Sequence, residues 1–125
     1  MAKYYFCLDG ETPSKKNSRI TLKSGKTIPN KKYRDWNKSS VRILKEQYAK
    51  QCAEIKTIEH CEIELIFVHA DKRRRDSDNS VSSIFDTLKD AGIIVDDNWN
   101  VIPHYDVYNV KGERPQCKIK ITPRA

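Results

Sequence analysis

No stretch of this sequence approaches the roughly eighteen consecutive apolar residues that a membrane-spanning helix needs, which excludes an integral helical membrane protein. The amino terminus, MAKYYFCLDG, lacks the basic region and long apolar run of a secretory signal, so the chain is expected to stay in the cytoplasm. Cysteine is scarce and scattered. Cys7, Cys52, Cys61 and Cys117 form no CxxC pair and sit among apolar residues, which argues against metal or redox roles and predicts reduced, buried thiols. The three histidines, His60, His69 and His104, have no ligand spacing and are expected to be structural. Four glycines, five prolines and no low-complexity tract or internal repeat leave a soluble globular protein rather than a disordered one.

What is present is one domain's length of chain, residues 1–125, with positive charge in excess: 24 Lys and Arg against 17 Asp and Glu, a formal net charge of +7. A small basic domain is drawn to polyanions, nucleic acid foremost, although acidic proteins and membrane surfaces attract the same charge. The cations are unevenly spread. Lys15, Lys16, Arg19, Lys23 and Lys26 crowd one segment, Lys31, Lys32 and Arg34 follow, and Lys72 to Arg75 make a third cluster.

Patterning predicts the order β, α, β, α, β, β, an α+β domain with a mixed or antiparallel four-stranded sheet and two helices on one face. YYFCL suits a strand. Gly10, Pro13, Ser14 and Asn17 then mark a loop, and the polar segment from Ile20 to Pro29 suits a small hairpin or a mobile arm. From about Lys31 to Ala53, the residues Val41, Leu44, Tyr48, Cys52 and Ile55 recur at helical steps. CEIELIFV alternates with period two, placing Ile63, Leu65 and Phe67 on one side. Val81, Ile84, Phe85 and Leu88 share a second helical face, with Asp78 or Asn79 as its cap and Gly92 as its left-handed stop. IIVDD is a short buried run ending in two carboxylates, and VIPHYDVYNV and PQCKIKI read as two final antiparallel strands joined by a turn at Lys111, Gly112 and Glu113.

Chemistry concentrates in RRRDSDNSVSSIF, Arg73 to Phe85. A hard cation such as Mg2+ is completed by one or two carboxylates, water and a substrate phosphate. In an extended segment Asp76 and Asp78 point the same way, and Asp96 and Asp97 are placed to return a third acid to the same spot. Each feature has a plainer reading as well: a DxD spacing also makes turns and caps, and three arginines beside acids also make a salt-bridge network. Trp36 and Trp99 are candidates for burial or for stacking on exposed bases.

RRDSDNSVSSIFDTLKDAGIIVDD, Arg74 to Asp97, resembles the signature of the RusA family of Holliday-junction resolvases: an Arg-Asp-x-Asp-Asn start, an Asp-x-Leu helix, an Ala-Gly turn and a terminal Asp-Asp. TPSKKNSR, Thr12 to Arg19, is similar to the family's amino-terminal Pro-Ser-x-Asn loop. The resemblance implies a homodimeric, Mg2+-dependent endonuclease, with Mn2+ as a substitute ion, that resolves four-way DNA junctions in recombination and repair. The alternatives are a non-catalytic or weakly catalytic binder of branched DNA and a more general flap or branch endonuclease. It assigns metal binding and catalysis to Asp76, Asp78 and Asp97, and matches Arg75 to an arginine before the first acid. A phosphate clamp is the role expected of Arg75, because its planar donors match two phosphate oxygens. The other DNA-contacting candidates are Lys72, Arg73 and Arg74, with Lys15, Lys16, Asn17 and Arg19 of the amino-terminal loop. Asn79 is open between a cap and a partner for the acids. One departure stands out: Ser82 occupies the place of a functional lysine in the family; Lys89 lies seven residues on but about 10 Å away by helix rise, and Lys15, Lys16 or Lys72 could reach instead. Chromosomal or phage origin stays open.

Overall fold

The computed structural model describes residues 3–15 and 19–124. Among these the elements are β1 (Tyr4–Asp9), β2 (Arg19–Thr21), β3 (Thr27–Pro29), α1 (Lys31–Gln51), β4 (Cys61–His69), α2 (Ser77–Asp90), β5 (His104–Lys111) and β6 (Gln116–Pro123). This is the expected α+β domain, with β2 and β3 forming a small antiparallel hairpin ahead of α1.

The four long strands form one mixed sheet in the order β1-β6-β4-β5. β6 is antiparallel to both neighbours, whereas β4 and β5 run parallel. Parallel neighbours cannot be joined by a tight turn and need a crossover, which α2 and residues 91–103 provide. The last two strands do run in opposite directions, but they are not partners. β4 lies between them, and the connection steps past its end, where the Gly112 N–H donates to His69 O at 2.9 Å. That approach is close: a Cβ on Gly112 would sit 2.5 Å from Val68 Cγ1.

One face of the sheet is covered. Phe6 and Leu8 of β1, Ile63, Leu65 and Phe67 of β4, and Cys117, Ile119 and Ile121 of β6 are all buried, and their alternation with exposed or half-buried residues follows from the period of two. Leu44 and Tyr48 of α1 and Val81, Ile84, Phe85 and Leu88 of α2 complete this core. Each fully buried aliphatic side chain contributes about 1.5–3 kcal/mol, so Leu88→Ala at 0% exposure is expected to cost about 2–5 kcal/mol.

α1 begins at Asn30, whose side chain accepts from the Tyr33 N–H at 3.0 Å, and ends at Gln51, two residues before the expected boundary. Cys52 is already extended, so Ile55 falls off the apolar stripe and is 62% exposed. In its last turns Gln47 and Gln51 reach across to β1. The Gln47 side chain exchanges hydrogen bonds with the N–H and C=O of Cys7, at 3.0 and 2.9 Å, and Gln51 does the same with Tyr5, at 2.8 and 2.6 Å. The thiols are all free, but only Cys61 and Cys117 are buried, and Cys7 and Cys52 are half-buried. Burial pushes the Cys61 thiol up to about 11. No helix among the described residues is long and apolar enough to cross a membrane.

Candidate active site

The charged segment of the sequence joins the carboxyl end of β4 to the start of α2. The helix cap is Asp76, not Asp78 or Asn79, and it is extended at φ −90°, ψ 115°. Its carboxylate makes no hydrogen bond to the helix N–H groups and no ion pair among the described residues. Asp78 lies in the first turn and is already helical, so strand alternation does not align the two acids as expected. Both are exposed, at a helix end whose unpaired N–H groups favour negative charge.

Asp76 opens into a cavity of about 630 Å³ whose other walls include Glu11, Lys32, Asp71, Arg73, Arg74 and Asn79. A second cavity of about 560 Å³ lies on the outer face of the sheet, among Tyr5, Ile66 and Ile119, and none of the candidate acids lines it. The chemistry selects the first.

The opposite end of α2 is closed. Gly92 takes φ +73°, its N–H donates to Lys89 O at 2.9 Å, and the Ile93 N–H donates to Leu88 O at 3.1 Å, the double-bonded stop that glycine permits. Ile93 and Ile94 are buried, with Ile94 bridged to Ile58, but Val95 is 51% exposed, so the apolar run ends one residue early. Asp96 and Asp97 follow. Lys89 Nζ lies 3.8 Å from Asp96 Oδ1 and 4.0 Å from Asp97 Oδ1. The Asp97 N–H donates to Asp96 Oδ1 at 2.8 Å, and that bond, helped by Lys89, holds the Asp96 carboxyl below its usual range.

The structure thus puts Asp76 and Asp78 at the start of α2 and Asp97 beside the ammonium of Lys89, a last-turn residue. Lys89 is eleven residues beyond Asp78, about 16 Å by helical rise. Among the described residues no group of three or more His, Cys, Asp and Glu is arranged to hold a metal ion. The donor chemistry still suits a hard cation, since oxygen donors from one or two carboxylates plus a phosphate satisfy Mg2+ without a closed protein cage.

The arginines divide. Arg75 is engaged: its Nη1 and Nη2 donate to the two carboxylate oxygens of Asp71 at 2.9 and 3.4 Å, and its Nε lies 3.3 Å from Glu11 Oε2. The guanidinium and the Arg73 backbone N–H hold the Asp71 carboxyl down at about 2, and Asp71 in turn raises Arg75. A phosphate would have to displace two carboxylates to be clamped by Arg75. The exposed side chains of Lys72, Arg73 and Arg74 carry no ion pair among the described residues. Lys15 is committed to Asp86 at 3.3 Å, while its backbone N–H and the carbonyl of Pro13 both bond the Ser83 hydroxyl, which pins this loop on α2. Lys16 and Asn17 lie outside the described residues, and Arg19 is described as backbone only.

Sequence reasoning missed a polar chain behind the site. Glu11, which holds Arg75, also accepts from His69 Nδ1 at 3.0 Å. His69 Nε2 lies 2.9 Å from Asn109 Oδ1, and Asn109 Nδ2 donates to Ser77 Oγ at 2.9 Å. Ser77 is the residue between the two acids. Asp71 and Arg75 are four apart and had a local signal; Glu11, His69 and Asn109 come from three distant segments and had none.

The model of the family described as Endodeoxyribonuclease RusA matches residues 9–122, a span that includes all three candidate acids and the arginine run. Among curated relatives, the crossover junction endodeoxyribonuclease RusA of Aquifex aeolicus (strain VF5) is 25% identical over 109 residues, covering 87% of this chain and 82% of that protein.

Proposed function

Because this chain belongs to the RusA family of endodeoxyribonucleases, we propose that it is a Mg2+-dependent enzyme that resolves four-way DNA junctions as a homodimer, in recombination and repair. The observation that carries this reading is the uncapped carboxylate of Asp76, exposed with Asp78 at a helix start and facing a cavity lined by Lys32, Arg73 and Arg74. A carboxylate at a helix cap ordinarily satisfies that helix's N–H groups. Leaving both unmatched in a cationic cavity suits a site that receives a cation and a phosphate together.

Asp76 and Asp78 would hold the ion at the start of α2, and Asp97, paired with Lys89 at the other end of that helix, would join them only by leaving Lys89 and closing that distance; Mn2+ offers the same oxygen-seeking chemistry. Bound there, a divalent cation supplies an activated water and charge neutralisation at the scissile phosphate. The protein's own part is electrostatic. Lys72, Arg73, Arg74 and Lys32 meet the flanking phosphates, and the N–H groups at the start of α2 favour a phosphate oxygen. Arg75 orders the loop through Asp71 and Glu11 rather than reaching outward. Two cuts on a two-fold symmetric junction suit two copies of the chain, and β5 offers them a surface: it is an edge strand with Tyr105, Tyr108 and Val110 exposed at 48%, 49% and 44%. Four free thiols suit the cytoplasm.

The deciding experiment incubates the purified protein with a labelled four-way junction, with and without Mg2+. Paired cuts across the junction are expected only with the ion. Asp76→Asn, Asp78→Asn and Asp97→Asn should each abolish cleavage while leaving junction binding intact or stronger, and Asp96→Asn should be milder. Junction binding without any metal-dependent cutting would establish the non-catalytic alternative, for which Ser82 in place of the family lysine is the motive. Equal cutting of flaps and junctions would establish the general branch nuclease.

A further inference from the structure

Trp99 is 76% exposed, the most exposed of the large apolar side chains described, where a tryptophan ordinarily buries most of its surface. This exposure does not come from a loose loop. Asn98 Oδ1 accepts from the N–H groups of Asn100 and Val101 at 2.9 and 3.3 Å, and the Asn98 carbonyl accepts from Val101 and Ile102 at 3.1 and 2.9 Å. Asn98 Nδ2 donates to Asp96 Oδ2 at 3.2 Å, and the Val101 and Ile102 side chains that follow are buried at 6% and 4% exposure. The turn is tied on both sides, and it holds an indole out in water.

We propose that Trp99 stacks on an unpaired or unstacked nucleobase of the branched DNA substrate and so contributes to preference for a junction over a linear duplex. The inference rests on the reading of the protein as a branched-DNA nuclease. The surroundings of the ring favour a base over a protein partner. Its nearest chain neighbours, Asp97, Asn98 and Asn100, are all polar, whereas the core of a protein interface is depleted in charged residues. A base needs only one aromatic face. A phosphate is disfavoured by Asp96 and Asp97, whereas the face of a base is uncharged. The position also fits: Trp99 is two residues from Asp97, at most about 7 Å along the backbone, so a base held by the ring lies close to a candidate metal-binding acid. A continuous duplex keeps its base faces stacked on one another, whereas a branch point exposes some.

The test uses the full chain without divalent cation, so that DNA is bound but not cut. Trp36→Phe leaves Trp99 as the sole indole, and its emission should be quenched by a four-way junction but not by a linear duplex of the same sequence. In the native background, Trp99→Ala should weaken junction binding about tenfold, leave duplex binding unchanged, and be partly rescued by Trp99→Phe. Light scattering should show the same assembly mass for all variants. The proposal is overturned if wild-type protein prefers the junction and Trp99→Ala keeps that preference in full. Emission already shielded from acrylamide before DNA is added, or a change of mass in Trp99→Ala, would overturn it in favour of a contact between copies of the chain. A wild-type protein with no junction preference would instead defeat the branched-DNA reading, and this inference with it.

Discussion

The two edges of the central sheet are built on opposite plans. At the β1 edge, Gln47 and Gln51 of α1 supply donor and acceptor to the outward peptide groups of Cys7 and Tyr5, so a strand with one neighbour behaves as if it had two. At the β5 edge nothing comparable occurs among the described residues, and almost the whole strand is exposed on both faces. An unpaired edge invites another strand, and folds usually blunt it. The same chain blunts one edge with two amides and leaves two tyrosines and a valine exposed on the other, so the proposed pairing of two copies would have its open edge at β5.

That contrast can be broken from either side. The largest effect is expected from Tyr108→Glu combined with Val110→Glu, which places like charges on the open edge. Light scattering at micromolar concentration should fall from about twice the chain mass to one, and paired cutting should drop on the order of a hundredfold with the lost association. An unchanged mass would move the interface elsewhere. Next, Gln47→Leu with Gln51→Leu removes the four hydrogen bonds to β1 at about 0.5–1.5 kcal/mol each, so denaturant unfolding should show a loss of at least about 2–6 kcal/mol. The freed β1 edge should also make association depend on concentration; undiminished stability would mean that water replaces the amides at no cost.

The smallest effect concerns the polar chain that ties β5 to α2 through Asn109, His69, Glu11 and Arg75. Asp71, which anchors Arg75, has a folded-state carboxyl at about 2, below its ordinary 3.8. A depressed carboxyl stabilises the fold above its unfolded value, and the contribution fades as pH falls from about 4 to about 2. The stability difference between wild type and Asp71→Asn should therefore be constant and small at neutral pH, shrink steeply as pH falls to about 2 and vanish only below it. A difference that persists there would detach Asp71 from this role.

Much of the fold was legible because it is written in local periods. The alternation in β4 and β6 and the apolar stripe of α2 depend only on which face meets the core, and Gly92 was readable because a left-handed stop favours glycine. Strand adjacency was not legible. Whether β5 lies beside β6 or beside β4 is decided by where α2 carries the chain, and no residue of the final turn records that. The site divides in the same way. The Arg-Asp-x-Asp run announced charge at a helix start, but the cap fell on Asp76 because the helix began one residue after it. Arg75 looked outward in sequence, and only its long-range partner Glu11, with Asp71, shows it turned inward.

The strand order also sets a timetable. β6 pairs with both β1 and β4, joining Tyr4 to Ile121 and Cys61 to Pro123, yet it comes last in chain order of the four strands of this sheet. As the polypeptide leaves the ribosome, the arginine run and all three acids are in the open before either half of the sheet has the strand that unites them. Contacts so distant in sequence close late and slowly. A nascent chain therefore carries its arginine run and candidate acids well before the sheet beneath them is complete, and that sheet closes only when residues 116–123 slot into its middle.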